Sequence, residues 1–360
     1  MEPEVLVRRD GRLGRITLNR PKAINALTFE MIEAIAAALD AWRNDDQVCA
    51  VILEGGGERG FCAGGDVRKL YENRPPNSDF AFRFWRREYQ LDHAIATYAK
   101  PIVALLTGLV MGGGAGLGIH ASHRVVDATT RFAMPETGIG LIPDIGASWF
   151  LPRCPGSAGT WLALTGEQIG AGDMLALGLA DAAIERGDNG KLVEALARDI
   201  EQGCDPRTAV SAALHAHGHP AEPRMTPFRE IVDRCFSNDR VELILAALEA
   251  DDSEWAAKTA STMRTKSPLM QKVALRALGL GRASPDLATC LTREFRIVSH
   301  AALGGEFYEG VRAAVIDKDR NPRWQPASLA EVTEALVEPF FSPLADDLTL
   351  PGQLQSRTAP

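Results

Sequence analysis

The chain has no Cys-x-x-Cys pair, no run of basic residues, and no glycine loop followed by Lys-Ser or Lys-Thr. Its six cysteines, Cys49, Cys62, Cys154, Cys204, Cys235 and Cys290, are scattered. Such spacing suggests neither a disulfide framework nor a zinc site. A net charge of −8 without a basic block argues against nucleic acid and anionic membrane as partners. An anionic small molecule stays possible, held by helix N-termini and a few local Arg or Lys. The glycine turns are neither phosphate-binding loops nor a dinucleotide fingerprint. The start, Met1-Glu2-Pro3-Glu4, is acidic and runs into a strand-like stretch. It lacks the pattern of a signal or transit peptide, so the expected compartment is a reducing cytoplasm. Residues 101–119 carry no charge and have the small-xxx-small spacing of a membrane helix. Six glycines among them, three of them consecutive, point instead to a buried strand, a turn and a buried helix.

What is present is an ordinary globular composition, 46% hydrophobic and 24% charged over 360 residues. That length supports a sizeable core and a second unit. Val5–Val7 and Arg15–Asn19 alternate around Asp10-Gly11, the pattern of a hairpin. Thr28 caps a helix to about Trp42, and Asp66 opens a short one. Val48–Leu53 and Ile102–Leu106 are continuous apolar runs of the buried-strand kind. Ser78–Ala99 reads as a long helix, and 55–65 and 107–113 as glycine turns. Strand, glycine turn and helix repeat about every fifty residues, which predicts an α/β fold with parallel strands. Strand patterns fade after about residue 186. Asn189–Glu222 reads as a link, and helical patterns dominate 228–312. The predicted division is 1–222 for the core and 223–360 for a mostly helical C-terminal region.

Two carboxylates stand out. Met134-Pro135-Glu136-Thr137-Gly138-Ile139-Gly140-Leu141-Ile142-Pro143-Asp144 holds two acids, each after a proline, and no other charge. The stretch is too glycine-rich for an ordinary helix and too apolar for a solvated loop. Acids in such a turn have perturbed pKa values, as acid–base chemistry requires. Upstream, Gly64-Gly65 and Gly112-Gly113-Gly114 each lie between a buried strand and a helix. Glycine lets a ligand approach the backbone closely, and a helix start offers unpaired N–H groups. Two such N–H groups on one oxygen make an oxyanion hole, each worth roughly 3–4 kcal/mol in a transition state.

Arg20-Pro21-Lys22-Ala23-Ile24-Asn25-Ala26-Leu27, Phe61-Cys62-Ala63-Gly64-Gly65-Asp66-Val67 and Met111-Gly112-Gly113-Gly114 together resemble the crotonase (enoyl-CoA hydratase/isomerase) superfamily over about residues 5–185. The resemblance implies a crotonase-like ββα spiral core followed by a helical C-terminal region. It implies that the N–H groups of Gly65 and Gly113 bind an acyl-CoA thioester oxygen. It also places Ala23, Ile24, Asn25, Gly64, Asp66 and Arg68 beside the CoA nucleotide. Hydratases of this superfamily carry two catalytic glutamates. One position is Glu136; the other is Gly116 here, while Asp144 stands where hydratases usually have glycine. That exchange is similar to the 3-hydroxyisobutyryl-CoA hydrolase branch. So are Phe150-Leu151-Pro152-Arg153, Lys266-Ser267-Pro268, and the stretch from Glu309-Gly310-Val311-Arg312 to Asp317-Lys318-Asp319-Arg320-Asn321-Pro322-Arg323-Trp324. Glu88 matches a substrate-contacting position of that branch. The implied activity is thioester hydrolysis, with Glu136 activating water or attacking the carbonyl and Asp144 orienting the β-hydroxyl or the water. No metal or redox cofactor is implied, CoA being part of the substrate, and relatives assemble as trimers or hexamers. The rival activities are hydration or isomerisation on the same fold, and acyl-CoA binding without turnover.

Other residues admit plain explanations. His215, His217 and His219 read as a surface loop rather than a metal site. His120 and His123 read as structural, and Cys62 as a small buried residue. Phe80, Phe82, Phe84, Trp85 and Tyr89 fit an acyl pocket or a core stripe equally. Glu88 fits a solvated ion pair as well as a site residue.

Overall fold

The computed structural model describes residues 2–351. Two compact units emerge. One comprises residues 2–65, 91–132 and 169–224, the other 66–90, 133–168 and 225–351.

In the first unit, β1 (Val5–Asp10) and β2 (Leu13–Leu18) form the expected hairpin, with Gly11 at φ +59°. The strands β3 (Ala50–Gly55), β4 (Gly60–Cys62), β5 (Ile102–Leu106), β6 (Leu109–Met111), β7 (His123–Val126), β8 (Arg131–Ala133) and β9 (Ala182–Ala183) follow. They form two sheets, ordered β1-β2-β3-β5-β7-β9 and β4-β6-β8. From β2 to β9 the larger sheet is parallel. β5 is buried along its whole length, as a parallel strand covered on both faces requires. The helix Phe29–Arg43 starts where Thr28 Oγ1 accepts the Met31 N–H at 3.1 Å. It buries Met31, Ile32, Ile35, Ala38, Leu39 and Trp42 on one face.

Two expectations change in this unit. The stretches read as glycine turns contain the short strands β4 and β6, paired in parallel with Cys62 opposite Val110. Three residues are too few for a period-2 signal to show. Segment 189–222 is no linker. It carries the helices Asn189–Glu201 and Pro206–His217. Their Leu192, Leu196, Ile200, Val210 and Leu214 share a core with Leu13, Ile52, Val103, Leu105 and Val125. His215 and His217 lie at the end of the second helix. Residues 101–119 form β5, β6 and the helix Gly113–Ile119. Among the described residues no helix is long and apolar enough to cross a membrane.

The second unit is mostly helical. Ser253, Ser267 and Asp286 cap the helices Glu254–Arg264, Pro268–Arg282 and Leu287–Leu303 by accepting the N–H three residues on. Segment 133–168 belongs here. It forms a 3-10 turn, Glu136–Ile139, and the helices Ala147–Phe150 and Ala158–Thr165. Close backbone approach fixes this segment. A Cβ on Gly140 (φ +72°) would fall 2.1 Å from the Glu306 carbonyl oxygen, and one on Gly310 2.3 Å from the Ile139 carbonyl carbon. Only glycine allows either approach.

Candidate functional site

The glycine turns meet within the first unit. Pairing of β4 with β6 lays Gly64-Gly65 alongside Gly112-Gly113. A Cβ on Gly64, whose φ is +106°, would sit 3.3 Å from the Met111 carbonyl oxygen and 3.7 Å from the Gly113 nitrogen. Gly114 needs to be glycine for packing, since a Cβ there would fall 2.5 Å from Cys62 Cβ. Gly113 is the first residue of its helix, so its N–H has no acceptor inside that helix. Gly65 bridges to Leu27, and the Leu27 N–H donates to the Gly64 carbonyl at 2.8 Å. The helix Gly113–Ile119 is buried throughout and carries no acid, Gly116 included.

The neighbouring loop is tied to the same turn. Ile24 and Asn25 have left-handed backbones, φ +49° and +53°. The Asn25 amide donates to the carbonyls of Gly56, Gly60 and Phe61 at 3.0–3.1 Å, and its Oδ1 accepts the Arg20 N–H at 2.9 Å. Asn25 is fully buried, so its side chain fastens the loop and presents nothing to a ligand. The Ile24 carbonyl accepts the Ala63 N–H at 2.9 Å, and Ala23 is exposed. Cys62 is buried, its thiol on the Asn25 carbonyl at 3.1 Å, which is a packing role. In the second unit Asp66 caps the helix Val67–Glu72 through the Lys69 N–H. Exposed Arg68 donates to the Val315 carbonyl at 3.0 Å.

The carboxylates gather in the second unit. Glu136, Asp144 and Glu88 are all buried, at 4%, 5% and 3% exposure; Glu88 is thus no solvated ion-pair partner. The Tyr89 hydroxyl donates to Asp144 Oδ2 at 2.7 Å. Tyr89 is fully buried, its ring edge-on to Phe295 at 6.2 Å. Among the described residues, Glu136 Oε2 and Glu88 Oε1 are buried without a hydrogen-bond partner. Such atoms are costly unless something else engages them.

Burial dominates the electrostatics. It pushes the Glu136 carboxyl well above the usual range, and the charges of Asp144 and Glu88 add to this, while Lys266 opposes it. Glu88 is raised likewise, by burial and then by Asp144. Burial raises Asp144 less, to about 6, because the Tyr89 hydroxyl and its own backbone N–H stabilise the carboxylate. Both carboxyls are thus pushed toward their protonated forms, and their proximity disfavours ionising the two together. That is a paired acid and base within one apolar turn.

Downstream, the stretch Lys266-Ser267 reaches this turn. The Ser267 N–H donates to the Thr137 carbonyl at 3.0 Å, and the Ser267 hydroxyl donates to Glu306. The Lys266 Nζ would lie 3.4 Å from a Cβ on Gly138. Burial lowers the Lys266 amine, against the pull of Glu167 and Glu136. Arg312 ties Glu309, Asp317 and Asp319 together at 2.7–2.9 Å. The Trp324 indole N–H donates to the Thr265 carbonyl at 3.2 Å. The roles of Tyr89 as partner of Asp144, Lys266 as the nearby cation and Glu294 beyond the turn emerge only from the structure. For Glu294, inside Arg293-Glu294 on a helix, no sequence signal separates a buried acid from a solvated one. Among the described residues no group of three or more His, Cys, Asp or Glu is arranged to hold a metal ion.

Residues 13–341 match the model of the enoyl-CoA hydratase/isomerase family. The mitochondrial 3-hydroxyisobutyryl-CoA hydrolase of Danio rerio is 41% identical, with 96% of this chain and 92% of the relative covered. The 3-hydroxyisobutyryl-CoA hydrolase 1 of Arabidopsis thaliana is 39% identical, with 97% and 95% covered. Two solved structures share the architecture. A carnitinyl-CoA dehydratase from Mycobacterium thermoresistibile superposes with a TM-score of 0.92 at 41% identity, covering 98% of this chain and all of that one. An enoyl-CoA hydratase from Rhodobacter sphaeroides 2.4.1 gives 0.89 at 39%, covering 97% and 100%.

Proposed function

The chain belongs to the enoyl-CoA hydratase/isomerase family, and from that premise we propose that it hydrolyses the thioester of 3-hydroxyisobutyryl-CoA. Its fold is the α/β, crotonase-like one expected from the sequence, with a ββα core and a helical C-terminal region. The observation that carries the hydrolase reading is the placement of acids. The helix Gly113–Ile119 has none, whereas Asp144 is buried and hydrogen-bonded by Tyr89.

In this reading the N–H groups of Gly65 and Gly113 take the developing charge on the thioester oxygen. Ala23, Ile24, Asn25, Gly64, Asp66 and Arg68 belong to the segments that flank CoA. For Asn25 that contribution is to loop shape, since its side chain is committed to four backbone groups. Glu136 either activates water or attacks the carbonyl carbon, displacing the CoA thiolate to leave a mixed anhydride that water then opens. Either route needs Glu136 ionised, with the proton of the pair on Asp144 when the attack begins; the negative charge then passes to the oxyanion and leaves with the CoA thiolate, which takes up a proton. Glu88 and Asp144 receive the substrate β-hydroxyl or the water. The chemistry draws on side chains and water, with CoA as part of the substrate and no metal or redox cofactor. Such a reaction belongs to valine breakdown. We place it in the cytoplasm: six scattered cysteines with no Cys-x-x-Cys pair suit a reducing compartment, although the animal relatives are named mitochondrial. A trimeric or hexameric assembly is part of the proposal and is read directly by light scattering.

Hydration or dehydration is the second reading, since both solved relatives are named for it. With only one of the two hydratase acid positions filled, Asp144 has to stand in. Assaying 3-hydroxyisobutyryl-CoA and crotonyl-CoA in parallel separates the two. Thiol release from the hydroxy ester supports hydrolysis. Loss of enoyl absorbance without thiol release overturns it.

A further inference from the structure

Glu294 is fully buried in the middle of the helix Leu287–Leu303. Its Oε2 accepts the Gly146 N–H at 2.5 Å. Its Oε1 accepts the Ser148 N–H at 2.7 Å and the Ser148 hydroxyl at 2.5 Å. These bonds bracket the chain immediately after Asp144. That chain is under strain. Ile145 has φ +54° and Gly146 φ +86°, and a β-branched residue in the left-handed region is a true outlier. Such a backbone persists only when its surroundings over-determine it. The Ala147 N–H, inside the bracket, donates to the Asp144 carbonyl at 2.9 Å. The next residue on the helix, Phe295, packs against the ring of Tyr89, whose hydroxyl holds Asp144 Oδ2. One helical turn therefore holds Asp144 twice: its backbone through Glu294, its carboxylate through Phe295 and Tyr89.

We propose that Glu294 is a positioning residue that fixes Asp144 for turnover, through the strained backbone at 145–148. This rests on the reading of Asp144 as a working carboxylate. A carboxamide at 294 sets an N–H₂ donor against N–H donors, so one bracket bond is lost while the side-chain volume is kept.

The test is a double-mutant cycle on kcat for 3-hydroxyisobutyryl-CoA, with CoA affinity measured by calorimetry. Glu294→Gln is expected to lower kcat roughly 100-fold, the scale of a misplaced reacting group, with CoA affinity within about threefold of the wild type. In an Asp144→Asn background the same substitution is expected to lower the residual rate less than about threefold, because the two act as a unit. Ser148→Ala, which removes one of the three bonds, gives a smaller loss in the same direction and carries the same cycle if Glu294→Gln does not fold. Full additivity in the cycle, or a single-variant kcat within about threefold of the wild type, overturns the proposal. If Asp144→Asn itself leaves kcat unchanged, the role of Asp144 falls instead; loss there with an unaffected Glu294→Gln removes only this inference.

Discussion

The glycine turns and the carboxylate turn are built by opposite means. At Gly64-Gly65 and Gly112-Gly113 almost everything is backbone: two three-residue strands pair, and side chains are absent where the turns meet. At Glu136 and Asp144 almost everything is side chain: Glu88, Tyr89, Lys266 and Glu294, from three other stretches of chain, act on two acids. A backbone device tolerates little added volume and has no titration of its own. A side-chain device tolerates isosteric change in shape but responds at once in charge. Disturbing the first therefore shows in binding and stability, and disturbing the second in rate and pH dependence.

The largest expected effect is on the carboxylate side. Asp144→Gly lowers kcat for thiol release roughly 100-fold or more, the scale of a lost acid–base group, while CoA titrated calorimetrically still binds. Parallel losses of rate and affinity erase the distinction between the two regions. Next comes Tyr89→Phe. The hydroxyl lowers the Asp144 pKa, now about 6, so its removal raises that pKa. The acid limb of the kcat/KM profile then moves to higher pH by roughly one unit, and an unmoved limb detaches Tyr89 from the chemistry.

On the glycine side, Gly114→Ala puts a Cβ 2.6 Å from the Cys62 carbonyl oxygen. It costs roughly 1–3 kcal/mol of stability, as overpacking does, and raises KM without moving the pH profile. Chemical denaturation and a kinetic profile of that one variant measure both. The smallest effect is on stability against pH. A carboxyl whose pKa is raised by folding contributes stability that is complete below its unfolded pKa and is lost as pH rises through the folded value. Glu88 is such a group. Glu88→Gln cannot ionise, so its gain in Tm over the wild type grows from pH 5 to pH 8, reaching roughly 2–4 °C. A gain that is flat across that range means Glu88 is not a buried acid.

Local signals made several elements readable. The hairpin, the Thr28 and Asp66 caps and the strand Ile102–Leu106 each carry their evidence within a few adjacent residues, and all appear in the structure. The acids Glu136 and Asp144 were visible because an apolar, glycine-rich turn has no other use for two carboxyls. What surrounds them was not. Tyr89 looks like one aromatic in a stripe, and Glu294 looks like a solvated helical acid, because burial comes from helices up to 150 positions away, a distance at which sequence carries no pattern. The helices at 189–217 are hidden in the sequence for a related reason. A polar, Pro-containing end after Gly218 masked the apolar face of Leu192, Leu196, Val210 and Leu214.

That the carboxylate turn supplies the chemistry is tested most directly by Glu136→Gln, assayed for thiol release from 3-hydroxyisobutyryl-CoA alongside calorimetric titration with CoA. The expected result is a kcat at least roughly 1,000-fold lower with CoA affinity unchanged. Near-wild-type thiol release from that variant contradicts the assignment.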